Sequence, residues 1–395
     1  MGKMEAVPNS PKPQPIMKRV AQFICAVFLV AAGTAQAVPV VVPEAPDIAA
    51  EGYILQDFHS GRVLAAKKAD ERMEPASLTK LMTAYTVFYE LRAGNITEDE
   101  KVHVSKKAWK TVGSRMFIRV DTEVSIGKLL KGMIIQSGND ASVALAEHVA
   151  GSENAFAALM NAHAKTLGLS GTHFANSTGL PHPEHYSTPR DMAKLAAAVI
   201  REFPSYYHLY SERKYTYNDI TQYNRNKLLW RDESVDGLKT GHTESAGYCL
   251  VASAKREQMR LISVVMGTAS ENARAQESQS LLNYGFRFFR THKLYAAGET
   301  LKSIRVWKGA SESLPIGLAE PLYVTVPRGQ YDNLDATVEV GRTIEAPVQK
   351  GQRLGTVTLS LGEQTLSERS LVALAEVSDG GIWRYIVDSV LLLFE

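Results

Sequence analysis

Ser77, Leu78, Thr79 and Lys80 set a hydroxyl and an amine three positions apart, the spacing at which two side chains share one face of a helix. A serine hydroxyl is a poor nucleophile until a base removes its proton, and a neutral lysine can be that base without any Ser-His-Asp set. Lysine is ordinarily protonated, so Lys80 would have to be buried and close to another cation, with Lys239 as the candidate. Two more short patterns follow in order. Ser137, Gly138 and Asn139 stand between two helical stretches, where Ser137 can relay a proton to a leaving amine and Asn139 can hold a substrate amide. Lys239, Thr240 and Gly241 lie either on a strand or in a turn leading to one. With Thr243 they offer a cation and hydroxyls to a substrate carboxylate. The backbone N–H groups of Ser77 and His242 are the expected donors to an oxyanion, helped by the positive end of the helix that Ser77 opens. Arg225 is open between a second grip on that carboxylate and a structural ion pair. Taken singly, these patterns read as a helix cap, a solvated lysine and an ordinary turn. Taken together, they predict acyl transfer to Ser77.

Such a site needs a scaffold. Residues 52–58 and 62–66 flank a His59, Ser60, Gly61 turn and predict a hairpin. Helical spacing of apolar residues covers 75–91, 126–135, 140–149, 155–167 and 191–201, with Pro75 where its missing N–H costs nothing. Residues 247–254 and 259–266 read as strands, and 270–289 as a long helix. Strands at the front, helices between and strands returning late predict an α+β or three-layer domain whose antiparallel sheet is completed from both ends of the chain. Beyond residue 291 the pattern alternates apolar and polar at 304–306, 322–326, 336–340 and 356–361, which predicts a small all-β domain. Residues 381–395 form an amphipathic helix with Trp383, Ile386, Val387, Val390, Leu391 and Phe394 on one face. At about 1.5 Å per residue it cannot cross a bilayer core of roughly 30 Å. It either lies in a membrane interface or docks on its own protein.

The 395 residues are 45% hydrophobic, enough for at least one large core. Residues 1–37 carry four of the 44 basic and one of the 42 acidic side chains, so the remainder is nearly balanced and offers no nucleic-acid footprint. Lys18 and Arg19 precede an apolar run over 20–32 and a small-residue site at Ala35, Gln36 and Ala37. This is the order of an export signal, with Met17 as an alternative start and an uncleaved anchor as the other reading. Only Cys25 and Cys249 occur, so a processed chain holds no internal disulfide, and Cys249 reads as a buried strand residue. His182 and His185 sit in a loop broken by Pro183 without a third ligand pattern, so neither a metal nor a cofactor is expected.

The three patterns, in this order, occur in penicillin-binding proteins and class A β-lactamases. The chain resembles the low-molecular-mass penicillin-binding proteins, the D-alanyl-D-alanine carboxypeptidase family. The resemblance runs over residues 74–82, 134–141, 235–242, 285–289 and 326–330, and Gly138 suits that family's form of the second pattern. It implies a serine β-lactamase/D,D-peptidase-like domain at 47–290, after a signal at 1–37 and a linker at 38–46, then a β-rich domain at 291–377 and a membrane-associating helix at 381–395. It implies an acyl-enzyme on Ser77, peptidoglycan stem peptides as substrates, β-lactams as covalent inhibitors, and a periplasmic place at the inner membrane. A D,D-endopeptidase, a serine β-lactamase and a silent wall-binding module are the competing readings. The β-lactamase lacks support, because no Glu-x-x-x-Asn pattern lies between Asn139 and Lys239.

Overall fold

The structure, a computed structural model, describes residues 42–394. The expected export signal, Cys25, the start of the linker and Glu395 lie outside the described residues. The strands are β1 (Gly52–Asp57), β2 (Val63–Lys67), β3 (Lys101–His103), β4 (Glu123–Ser125), β5 (Lys214–Tyr217), β6 (Ile220–Tyr223), β7 (Val235–Thr243), β8 (Gly247–Arg256) and β9 (Met259–Thr268). They continue with β10 (Phe289–Tyr295), β11 (Thr300–Arg305), β12 (Ser313–Gly317), β13 (Leu322–Pro327), β14 (Leu334–Val340), β15 (Arg353–Leu361) and β16 (Gln364–Ala373). The helices longer than one turn are α1 (Lys80–Ala93), α2 (Lys106–Lys110), α3 (Ile126–Ile135), α4 (Asn139–Ala150), α5 (Glu153–Thr166), α6 (Pro189–Glu202), α7 (Glu271–Phe288) and α8 (Gly381–Leu391).

The central sheet runs β2-β1-β9-β8-β7, antiparallel throughout, so the first and last strands of this part of the sequence meet as expected. Side chains alternate across it. Ile54, Val251, Ile262 and Val264 face a core shared with α1 and α3 to α6, while Leu55, Leu250, Ala252, Leu261 and Val265 face α7. Both faces are covered, which is why β8 and β9 read as nearly continuous apolar runs. Each fully buried Leu, Ile or Val contributes about 1.5–3 kcal/mol.

Helix boundaries follow local chemistry. The side chains of Ser152, Thr188 and Ser270 accept from the N–H groups of Ala155, Asp191 and Ala273, capping α5, α6 and α7. One boundary differs from the sequence expectation. Ala76–Thr79 is a 3-10 turn, and the α-helix starts only at Lys80. From there to Phe88 every residue of α1 is buried, because the helix runs through the interior between α3, α4, α5 and α6. A lysine in its first turn is therefore buried, at 1% exposure.

The C-terminal unit is all β, with a sheet in the order β11-β12-β16-β15-β14 and a ribbon of β10 and β13 around Val306, Leu314, Ile316, Val324 and Leu371. Helix α7 passes into β10 without an intervening loop. The junction is closed by Asp57, fully buried at the end of β1. One of its oxygens accepts from the N–H groups of His59 and Ser60 and from the Ser60 hydroxyl, and the other accepts from Thr291 Oγ1 at 2.7 Å. Arg62 Nη1 donates to Thr325 O at 2.6 Å across the same junction. Replacing Asp57 with Ala strands several buried donors. It is expected to lower unfolding free energy by about 2–4 kcal/mol, read as a shifted denaturant midpoint.

Candidate active site

Two backbone segments converge on Ser77. The 3-10 turn carries Ala76 at φ +46°, in the left-handed region, immediately before the serine. That conformation is held from two sides. Thr79 Oγ1 donates to Ala76 O at 2.8 Å, and Gly179, at φ +83°, packs so closely that a Cβ there would lie 1.8 Å from Ala76 O. Strand β7 passes alongside, and a Cβ at Gly241 would lie 3.0 Å from Pro75 O. The Lys239, Thr240, Gly241 pattern is thus on the strand, not in the turn after it, and β7 is the outer strand of the sheet.

Lys80 Nζ lies 2.9 Å from Ser77 Oγ, 2.7 Å from Asn139 Oδ1 and 2.6 Å from Thr178 O. Two of these partners are carbonyl oxygens that can only accept. In a neutral amine its two N–H bonds go to them, and the remaining lone pair meets the serine hydroxyl. Burial, then the charge of Arg225, brings the Lys80 pKa down to about 7, against a smaller opposing effect of Asp140. Arg225 is thus a cation that depresses Lys80 beyond the expected Lys239, whose own coupling to Lys80 is also present. Lys239 is itself buried, and burial followed by Lys80, Arg225 and Arg274 holds its pKa well below the usual lysine value. Its amine donates to Thr240 O at 3.2 Å.

A cavity of about 420 Å³ opens above this pair. Ser77, Ser137, Asn139, Thr240, Gly241, His242 and Thr243 all line it, while Lys80 and Lys239 lie just beneath. Ser137 is buried at φ +69°, and its hydroxyl has no hydrogen-bond partner among the described residues. Asn139 is more committed than expected, because Oδ1 accepts from Lys80 while Nδ2 donates to Val112 O at 2.6 Å. One amide N–H remains for a ligand. Thr243 Oγ1 accepts from Ala246 N at 2.9 Å, which ties it to the β7–β8 turn. Arg225 and Arg274 also line the cavity. Arg225 is solvent-exposed and makes no ion pair among the described residues, though the charge of Glu271 acts on it. Arg274 donates to Gly241 O at 3.1 Å.

Several contributors carried no clear sequence signal. Thr178 acts through its backbone carbonyl, in a turn organised by Asn176 Oδ1, which accepts from Thr178 N and Gly179 N. Asp140 is fully buried and accepts from Met116 N, Phe117 N and Ile118 N, fixing the loop whose Gly113 and Ser114 line the cavity. His185 accepts from Ala175 N through Nδ1, so its proton sits on Nε2 and is donated to Thr79 Oγ1 at 2.7 Å. Burial first, then His173, His182 and Lys80, bring the His185 pKa down to about 4. The ring is therefore a neutral strut for the serine turn. Cys249 is buried in β8, and its thiol is pushed up to about 11.

A buried lysine whose pKa is brought down to about 7, bonded to a serine under the free edge of an antiparallel sheet, places the molecule among the penicillin-recognising serine acyl-transfer enzymes. Comparison with known proteins narrows this. A family model described as D-alanyl-D-alanine carboxypeptidase matches residues 39–270, and one described as Penicillin-binding protein 5, C-terminal domain, matches residues 289–379. The chain is 42% identical over 390 residues to D-alanyl-D-alanine carboxypeptidase DacA of Escherichia coli (strain K12), covering 96% of this chain and 97% of that protein. It is 44% identical over 359 residues to DacC of the same organism, covering 89% and 90%. The crystal structure of penicillin binding protein 5 from Haemophilus influenzae superposes with a TM-score of 0.82 at 41% identity, covering 85% of this chain and all of that one. The chain belongs to the D-alanyl-D-alanine carboxypeptidase family of serine peptidases.

Because only the unprotonated amine has a lone pair for the serine proton, acylation should rise with pH around a midpoint near 7 and fall about tenfold per unit below it. Asn139→Asp puts a carboxylate 2.7 Å from that amine and favours the ammonium. The acylation rate at pH 7 is then expected to drop about tenfold or more, with the rising limb displaced to higher pH. A pH series of labelled-penicillin acylation rates checks both.

Proposed function

We propose that this protein removes the terminal D-alanine from peptidoglycan stem pentapeptides through an acyl-enzyme on Ser77. The observation that carries the assignment is the 2.9 Å contact between Lys80 Nζ and Ser77 Oγ, with both N–H bonds of the amine taken by carbonyl oxygens. The peptide lies extended along the free edge of β7, its scissile carbonyl oxygen held by the N–H groups of Ser77 and His242. The terminal carboxylate meets Arg225, Arg274 and the Thr240 hydroxyl, above the buried amine of Lys239. Ser77 attacks as its proton passes to Lys80. The tetrahedral intermediate collapses when the Ser137 hydroxyl hands a proton to the departing amine and regains one from Lys80. Water, deprotonated by Lys80, then hydrolyses the ester. β-Lactams enter by the same attack and stay as esters. In this reading residues 47–290 are the peptidase domain and 291–377 the β domain.

A β-lactamase reading has less support. Among the described residues Glu271 is the carboxylate lining the cavity, and a hydrogen bond from Lys227 holds it below the ordinary glutamate range. Such a group is a weak base for fast deacylation. Ser77→Ala is expected to abolish both D-alanine release from a pentapeptide and covalent labelling by penicillin. Retention of either in the folded variant would overturn the assignment.

The same reading places the protein in the periplasm, exported by residues 1–37 and attached to the inner membrane by α8. The support for attachment is an inverted exposure pattern. Trp383 is 82% exposed and Ile382 79%, as is Phe394 at 85% in the turn that follows, while Asp388 in α8 is 3% exposed and points into the protein. No described helix is long and apolar enough to cross a membrane, so the helix lies flat. Trp383→Glu is expected to weaken binding to phospholipid vesicles by about 10- to 100-fold without changing hydrolysis of a soluble peptide.

A further inference from the structure

A groove of about 870 Å³, twice the size of the active-site cavity, lies in the β domain. Its walls are β11 and β14, the two outer strands of the five-stranded sheet, so each turns an unpaired edge towards it. One end is closed where Trp307 N donates to Ile344 O at 2.8 Å and Ala346 N donates to Trp307 O at 2.9 Å. Ile304, Trp307 and Ile344 give it an apolar lining. Charge is concentrated on the walls, where Lys302, Arg305 and Arg342 face a single acid, Glu339. Lys302 and Arg342 are exposed, and neither makes an ion pair among the described residues. Arg305 stacks on Trp307, its guanidinium carbon 3.7 Å from the ring centroid.

The groove is physically joined to α8. Arg305 lies 3.9 Å from the buried carboxylate of Asp388, which also accepts from the backbone N–H of Lys308. The Lys308 ammonium sits 4.7 Å over the Tyr385 ring. The chain segment that walls the groove is therefore the one on which the helix hangs. A helix is roughly 10 Å across, so a groove touching one side of it lies within about one Debye length of whatever surface meets the other side.

We propose that the groove between β11 and β14 is a binding site for the headgroup of an anionic phospholipid. Its phosphodiester is held by Lys302, Arg342 and Arg305, and its glycerol backbone lies against Trp307 and Ile344. The inference rests on the reading that α8 lies on the membrane, and it adds a headgroup contact to that attachment. Guanidinium groups match phosphate oxygens with paired N–H donors, and the aromatic ring under Arg305 fixes one of them in place. An extended acidic peptide pairing with a strand edge is the competing occupant. The exposed apolar face of the adjoining helix favours the lipid.

Vesicle flotation of the processed full chain separates the two claims. Vesicles of phosphatidylethanolamine alone report the helix, and the increment on adding phosphatidylglycerol reports the groove. The double variant Lys302→Gln/Arg342→Gln alters two exposed side chains that bond to nothing. It should keep zwitterionic binding and peptide hydrolysis while losing the anionic increment, roughly fivefold per charge removed. A matched charge loss on the peptidase domain, Lys106→Gln/Lys128→Gln, should retain the increment. The proposal is overturned if wild-type protein shows no increment, as a peptide-binding groove predicts, or if both double variants lose it equally. Undiminished zwitterionic binding by Trp383→Glu sinks the helix reading alone.

Discussion

A primary amine is enclosed in the interior of this protein, and the rest of the active site depends on how that is tolerated. An isolated buried ammonium costs many kcal/mol, whereas a neutral amine with two carbonyl acceptors costs little. Interior burial of α1 disfavours the charged state of Lys80, while the Thr178 carbonyl and the Asn139 amide satisfy the N–H bonds of the neutral one. Arg225 and a second buried lysine push in the same direction, and with Arg274 they line the place where a carboxylate-bearing substrate would sit. One arrangement of charges thus prepares the base and attracts the ligand.

The serine is held with the same economy. Its turn is wedged between β7 on one side and the segment around Gly179 on the other, both in backbone-to-backbone contact. The His185–Thr79–Ala76 chain of hydrogen bonds locks the residue before the nucleophile into a conformation that alanine rarely adopts. Strain at such a position persists only where the surroundings over-determine it, and here they do so through atoms several elements apart in sequence.

Much of this was legible in the sequence, for identifiable reasons. Ser77 with Lys80, Ser137 with Asn139, and Lys239 with Thr240 and Gly241 are close in sequence, so their spacing exposes them. The strands of the central sheet are apolar runs between turn residues. The apolar face of α8 follows from helical period. What stayed hidden is contributed by backbone atoms or by residues brought in from afar. Thr178 uses a carbonyl that any residue possesses. Asp140 reads as one more helix-start acid until its three loop N–H partners are seen. Arg225 adds to the effect expected of Lys239, and it stayed hidden because it belongs to no motif. Asp388 lies outside the apolar face given by helical period, and its burial against Lys308 and Arg305 needed the tertiary structure.

The loop-free passage from α7 into β10, clasped by Asp57, makes a stiff joint rather than a tether. A stiff joint converts the length of the β domain into a stand-off distance. Under the proposed attachment through α8, the reactive hydroxyl would work within a thin layer at one height above the membrane, and the peptides within reach would be those that pass through that layer.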